Sequence, residues 1–188
     1  MLVNSQKDLD RAAERGEALI EIGSMDAFSI NGRYSPEVRF VDPSHLCLLI
    51  GEQAAPHLIL GEMAACITVT VTGRARPLID VSETGRPKIE VRESATPRIQ
   101  VFGAAVATVD CYDSSTPRLD VAASAALRIR AFNRAHPRIW AHERASVRIQ
   151  GRGDVFADDG VQIHHDGAAS IVGGVSTLLP SIKVEEGE

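Results

Sequence analysis

Pro77-Leu-Ile-Asp-Val81, Pro87-Lys-Ile-Glu-Val91 and Pro97-Arg-Ile-Gln-Val101 are three copies of one phrase, each ten residues after the last. Apolar and polar residues alternate within each copy, the period-two signature of a strand with one buried face. Counting outward in tens extends the phrase both ways. One aliphatic column reads Ile59, Val69, Ile79, Ile89, Ile99, Val109, Leu119, Ile129, Ile139 and Ile149. Two residues on, a second reads Val71, Val81, Val91, Val101, Cys111, Val121, Ala131 and Ala141. Four residues before the first lies a column of small residues, Ala55, Ala65, Ala75, Gly85, Ala95, Ala105, Ser115, Ala125, Ala135 and Ala145. Two residues before it stand Pro77, Pro87, Pro97, Pro117 and Pro137, with Ile67, Ala107, Leu127 and Val147 in the gaps. The three positions that follow each phrase are rich in Ser, Gly, Ala and acids, as a turn requires.

A tandem repeat of this kind marks a solenoid, in which each unit buries its apolar face against its neighbours. The fold class expected is all-β, a parallel β-solenoid (β-helix) of ten-residue repeats with an N-terminal helical cap. Proline lacks the ladder N–H, so its phase reads as the first residue of each strand, just after a corner. One strand and one turn cannot close a coil. Two units, about twenty residues, can form a flattened coil with two opposed parallel sheets. Units at 77, 97, 117 and 137 then stack on one face and those at 87, 107, 127 and 147 on the other. A three- or four-sided coil is the alternative, if the turns themselves kink into short sides. At about 4.8 Å per coil, roughly five coils make a rod about 25 Å long. The second column shrinks from Val121 through Ala131 and Ala141 to Gly151, which predicts either a taper or compensating outside aromatics.

The ends read differently. Ser5 to Arg15 is expected to be a helix, with Ser5 as N-cap, Asp8 completing a capping box, an apolar stripe of Leu9, Ala12 and Ala13, and Gly16 as the stop. Ala18 to Ile22 alternates as a strand, 38–42 and 46–50 begin the coils, and Val161 to Ile163 and Ser170 to Val172 form the last strands. The tail Lys183 to Glu188 is expected to fray. The division is a cap at 1–45, the solenoid at 46–153 and a C-terminal cap with an acidic tail at 154–188.

Hydrophobic residues are 44% and aromatics only 4%, so Val, Ile, Leu and Ala must fill the core. Net charge is −5, which argues against the chain as a whole being a polyanion binder. Cys47, Cys66 and Cys111 are odd in number and form no CxxC pair, which favours a reducing compartment. The N-terminus shows neither a basic n-region nor an apolar h-region, and no run approaches the roughly 18 apolar residues of a membrane span. The expected location is the cytoplasm, with no membrane partner.

Candidate chemistry is sparse. His164-His165-Asp166 is the one tight cluster of ligand-type residues, but strand neighbours point to opposite faces and cannot share a metal. His136 and His142 have no carboxylate or cysteine at useful spacing. The turns lack the glycine–aspartate pattern that holds calcium, and the rank Thr68, Thr70, Thr72 is not repeated as an ice-binding ladder would be. Asp80, Glu90, Asp110 and Asp120 share an outward phase, as in carbohydrate-active β-helices. Lys88, Arg98, Arg118 and Arg128 run two residues earlier, so an interleaved charge ladder is the simpler reading. No catalytic residue, cofactor or metal is expected.

One surface stands out. Arg128, Arg130, Arg134, Arg138, Arg144, Arg148 and Arg152 fall within a short stretch whose only acid is Glu143, and Phe132 and Trp140 lie among them. Phe102 and Tyr112 precede them in a matching column. Arginines beside stackable rings suit anionic partners, nucleic acid included. Against this, the following segment carries Asp154, Asp158, Asp159, Asp166, Glu185, Glu186 and Glu188, which can neutralise the patch in cis or from a neighbouring molecule.

The units Ser94-Ala-Thr-Pro-Arg-Ile-Gln-Val101 and Ala105-Val-Ala-Thr-Val-Asp-Cys-Tyr-Asp-Ser114, with the helix opening Ser5-Gln-Lys-Asp-Leu-Asp10, resemble uncharacterised alanine- and valine-rich tandem-repeat β-solenoid proteins of bacteria and their phages. The likeness covers about residues 55–152 and implies no particular activity. The expected function is a non-enzymatic scaffold or interaction module whose partner is another protein or a second copy. An anion- or nucleic-acid-binding module using the arginine-rich coils is the alternative, and a carbohydrate-active enzyme a more remote one.

Overall fold

A computed structural model describes residues 1–23, 27–41, 46–62 and 67–179. Ala65, Cys66 and the tail Lys183 to Glu188 lie outside them. The elements run β1 (Leu2–Val3), α1 (Gln6–Arg15), β2 (Leu19–Ile22), β3 (Ala27–Ile30), β4 (Glu37–Phe40), β5 (Leu46–Ile50), β6 (His57–Leu60), β7 (Ile67–Val71), β8 (Leu78–Val81) and β9 (Lys88–Val91). They continue as β10 (Arg98–Val101), β11 (Val106–Cys111), β12 (Arg118–Val121), β13 (Ala126–Ala131), β14 (Arg138–Ala141), β15 (Ser146–Gln150), β16 (Asp154–His165) and β17 (Ser170–Leu178).

Every pairing is parallel, and from β2 to β14 each strand pairs with the strand two further on. Even-numbered strands from β2 to β14, with the first half of β16, form face one; odd-numbered strands from β3 to β15, with the second half of β16, form face two. The chain is therefore a two-sided β-solenoid of about eight turns, more than the five that counting in tens suggests. Parallel ladders already link β2 to β4 and still link β16 to β17, so the region of strict ten-residue spacing is shorter than the region of coiling.

Ile, Val and Pro of each phrase point inward. Ile79, Ile89, Ile99, Val109, Leu119, Ile129, Ile139 and Ile149 form one continuous dry column. Burying each such side chain contributes about 1.5–3 kcal/mol. The first column is misassigned at its start. Leu58 and Leu60 are buried, whereas Ile59 sits in an outward register opposite Asp80; likewise Ala54 rather than Ala55 is buried. Leu58 pairs with Ile79, twenty-one residues on, so one extra residue shifts the phase there.

The corners are turns closed by an i to i+3 hydrogen bond, as from the Ala95 N–H to the Arg92 carbonyl at 3.2 Å. Their second residue takes positive φ, and at Glu52, Glu83, Glu93, Asp113, Ala123, Asn133 and Glu143 it is not glycine. That conformation costs about 1–2 kcal/mol for an L-residue. On the second corner, where face two returns to face one, the acid's own carboxylate offsets this. Asp113 accepts the Glu93 N–H at 3.0 Å, Glu93 accepts that of Gly73 at 2.9 Å, and Glu52 accepts that of Gly32 at 2.9 Å.

At the N-terminal end both sheet edges are closed. β1 pairs with β2, and the Gln6 side-chain amide fits the free edge of β3, accepting the Ser29 N–H at 2.8 Å and donating to its carbonyl at 3.1 Å. Leu9 and Ala12 of α1 are buried over the core. Ser5 caps the helix, and Gly16 ends it at φ 67°. At the other end the coil tapers. Arg138 pairs with Asp154 and Ser146 with Gln162, each sixteen residues on. Gly151 accommodates the narrowing: at φ 90°, any Cβ there would collide with the Ala131 carbonyl. Outside aromatics accompany the taper, since Trp140 stacks on Phe156 with centroids 5.6 Å apart. β16 and β17 are longer than their expected counterparts because each runs across both faces without a proline to interrupt it.

Candidate interaction surfaces

Residues that alternate with the core point into solvent, and their column neighbours come from adjacent coils. Ten-residue spacing therefore sends consecutive units to opposite faces. Asp80 and Asp120 lie on face one, and Glu90 and Asp110 on face two. The four acids therefore fall into two columns rather than one, with Glu90 and Asp110 directly opposite each other on adjacent strands.

On face one, Arg98 meets Asp120 at 3.2 Å, His136 meets Asp154 at 3.1 Å, and Arg138 lies 3.9 Å from Asp154. His142 meets Asp158 at 3.0 Å on the first corner, and His57 meets Asp80 at 2.7 Å. The expectation that His136 and His142 lack carboxylate partners is thus overturned, because both partners stand one coil away. The Arg118 guanidinium lies over the Trp140 ring at 5.4 Å. A shallow groove here is lined by Arg98, Arg118, Asp120, Trp140 and His142.

On face two, Glu90 accepts from Lys88 and from Arg92, both at 2.7 Å. Hydrogen bonds from Lys88 and then Arg92 hold the Glu90 carboxyl below its ordinary range, and Glu90 raises both cations in return. Arg130 grips the Asp110 carboxylate through two bonds of 2.7 and 2.6 Å, and Asp110 is 1% exposed. That bond raises the Arg130 guanidinium further. The neighbouring Cys111 is buried, which pushes its thiol up to about 12. Cys47 is exposed and free.

The nine residues singled out from sequence do not make one patch. Arg128, Arg130 and Arg148 lie on face two; Phe132, Arg134 and Arg152 follow on the second corner. Arg138 and Trp140 belong to face one, and Arg144 to the first corner. Phe132 stacks on Tyr112 at 5.0 Å with Arg92 over the Tyr112 ring at 4.8 Å, whereas Phe102 lies on the opposite corner and joins neither. Two participants were missed. Phe156 stacks on Trp140 but stands sixteen residues away, so counting in tens cannot find it. Thr108 aligns with Arg128, a pairing legible only at twenty-residue spacing.

A further depression lies elsewhere, between Gly32, Arg33, Glu52, Gln53, Gly73 and Arg74. Its Gly32 and Gly73 amides are already taken by Glu52 and Glu93, so it offers a ligand little beyond two exposed arginines. Among the described residues no group of three or more His, Cys, Asp or Glu could hold a metal, and no helix is long and apolar enough to cross a membrane. Comparison with protein-family models, curated proteins and solved structures finds no match.

Proposed function

We propose that this chain is a non-enzymatic structural or interaction module, a rigid β-solenoid that presents its flat faces to protein partners, a second copy included. The observation that carries the reading is the unbroken pair of parallel ladders joined by tight corners, with no inserted loop of any length between β8 and β15. Long active-site loops are the usual carriers of chemistry on a rigid scaffold. Here Glu90, Asp110 and Asp120 are instead engaged by neighbouring cations, and Asp80 by the His57 ring. A cytoplasmic setting fits the exposed Cys47 thiol. Light scattering over a dilution series, with a pull-down, tests the reading. Concentration-dependent assembly or a specific partner supports it. A strict monomer that captures nothing, or a turnover lost in Asp120→Asn, overturns it.

A second reading, an anion-binding module, is favoured by one observation: Arg128 and Arg148 stack in register with no described carboxylate within ion-pair distance of either. Binding to a polyanion would weaken as salt rises.

A further inference from the structure

Face two neutralises its charges with care until β13. Lys88 and Arg92 share Glu90, and Arg130 covers Asp110. Arg128 and Arg148 break the pattern. They are directly opposite one another on adjacent parallel strands, so their Cα atoms are about 4.8 Å apart. Like charges directly opposite on a sheet destabilise it. The described acids that follow in sequence, Asp154, Asp158, Asp159 and Asp166, form no ion pair with either arginine. Asp154 serves His136 and Arg138, Asp158 serves His142, and the Asp166 carboxylate takes the Gly151 and Ala168 N–H groups.

We propose that Arg128 and Arg148 form a clip for a compact phosphate-type dianion, with the Thr108 hydroxyl as a further donor. A shallow groove joins Thr108, Arg128, Ile129, Arg130, Arg148 and Gln150. Thr108 precedes Arg128 in the column, and His164 follows Arg148. Guanidinium forks match the oxygen spacing of a phosphate and bind it through paired, charge-assisted hydrogen bonds. The row is only two arginines long, and the net charge of −5 repels a long polyanion. Both facts favour a phosphate monoester or pyrophosphate over a phosphodiester chain. The clip rests on the anion reading and narrows it to one ligand class and one place.

Inorganic pyrophosphate titrated calorimetrically into the full chain at low ionic strength tests it. Saturable binding is expected, weakened about tenfold or more in Arg128→Gln and again in Arg148→Gln. Arg11→Gln, on the cap helix, should bind as the parent does. Both clip positions are exposed, and circular dichroism confirms that the variants fold. No saturable binding, or equal binding by the clip variants, overturns the proposal. A single-stranded oligonucleotide forms the second arm. If it displaces pyrophosphate with the higher affinity, the compact-dianion assignment falls in favour of a phosphodiester. If it binds parent and clip variants alike while pyrophosphate does not bind, the clip fails and the broader anion reading stands.

Discussion

The two faces of the solenoid share one core but are built differently, and proline is the reason. Before the strands of face one stands an unbroken proline column, Pro36, Pro56, Pro77, Pro97, Pro117 and Pro137. Each carbonyl of the column accepts from the next coil, as the Arg118 N–H does from Pro97 at 2.9 Å, but none has an N–H to give. Strands β4 to β14 on that face are accordingly four residues long. Face two has Ile67, Ala107, Leu127 and Val147 at the same phase, and its strands reach five or six residues. β9 is the internal control: it lies on face two, begins after Pro87, and has four. From β4 to β15 the missing donor goes with the shorter strand, whereas β2 is four residues long after Ala18, so proline is not the only limit on strand length.

The charge layers differ too, and the largest expected effect tests that difference. Arg130→Ala removes the partner of a carboxylate that is almost fully buried, leaving Lys88 at 4.0 Å as its nearest cation. A cost of about 2–4 kcal/mol is expected from stranding a buried charge. Arg98→Ala on face one breaks a pair whose carboxylate is 31% exposed and should cost about 0–1 kcal/mol. Urea unfolding midpoints compare the two. Equal losses would show that the faces do not differ in how they hold charge.

The proline argument yields the next largest effect. Ala107 pairs with Leu127 inside the six-residue ladder of β11 and β13. Ala107→Pro should therefore cost about 1–3 kcal/mol through a lost donor and an unpaired carbonyl, whereas Pro97→Ala, where the ladder is already interrupted, should change stability by less than about 1 kcal/mol. Thermal melts of both variants decide it; a harmless Ala107→Pro would detach strand length from the missing N–H.

These rules also explain what could be read in advance. Period-two alternation fixes which side chains go inward, so Ile79 to Ile149 were legible residue by residue. Period ten cannot by itself assign a neighbour, because the true neighbour is a coil away and coil length varies. Leu19 pairs with Glu37 at eighteen residues, Leu58 with Ile79 at twenty-one, and Trp140 with Phe156 at sixteen. The outward surface is assembled across coils, so every error in coil length misplaces a partner. That is why Asp154 and Asp158 were not seen as partners of His136 and His142, and why nine candidate residues dispersed over two faces and two corners.

A smaller effect tests the corner leading into face one. Ser115 occupies the small-residue column where Ala75, Ala95 and Ala135 stand in the neighbouring coils, and its buried hydroxyl has no hydrogen-bond partner. Ser115→Ala removes that unpaired group without changing the backbone, and a gain of about 0.5–1.5 kcal/mol is expected. A loss in the same urea titration would mean that the hydroxyl contributes something the packed column alone does not.

The smallest effect separates the faces by pH. The Glu90 carboxyl on face two is held below its ordinary value by Lys88 and Arg92, so the folded state prefers it ionised more than the unfolded chain does. Its contribution is therefore fully present above the unfolded-state value of about 4.3 and is lost as pH falls through the lower folded value. Both cations are about half exposed, which limits the contribution to about 0.5–1 kcal/mol. Glu90→Gln should thus narrow to parity with the parent in acid and fall below it near neutrality. A gap between the two that stays constant from pH 7 down to pH 3 would mean that Glu90 acts by packing rather than by charge.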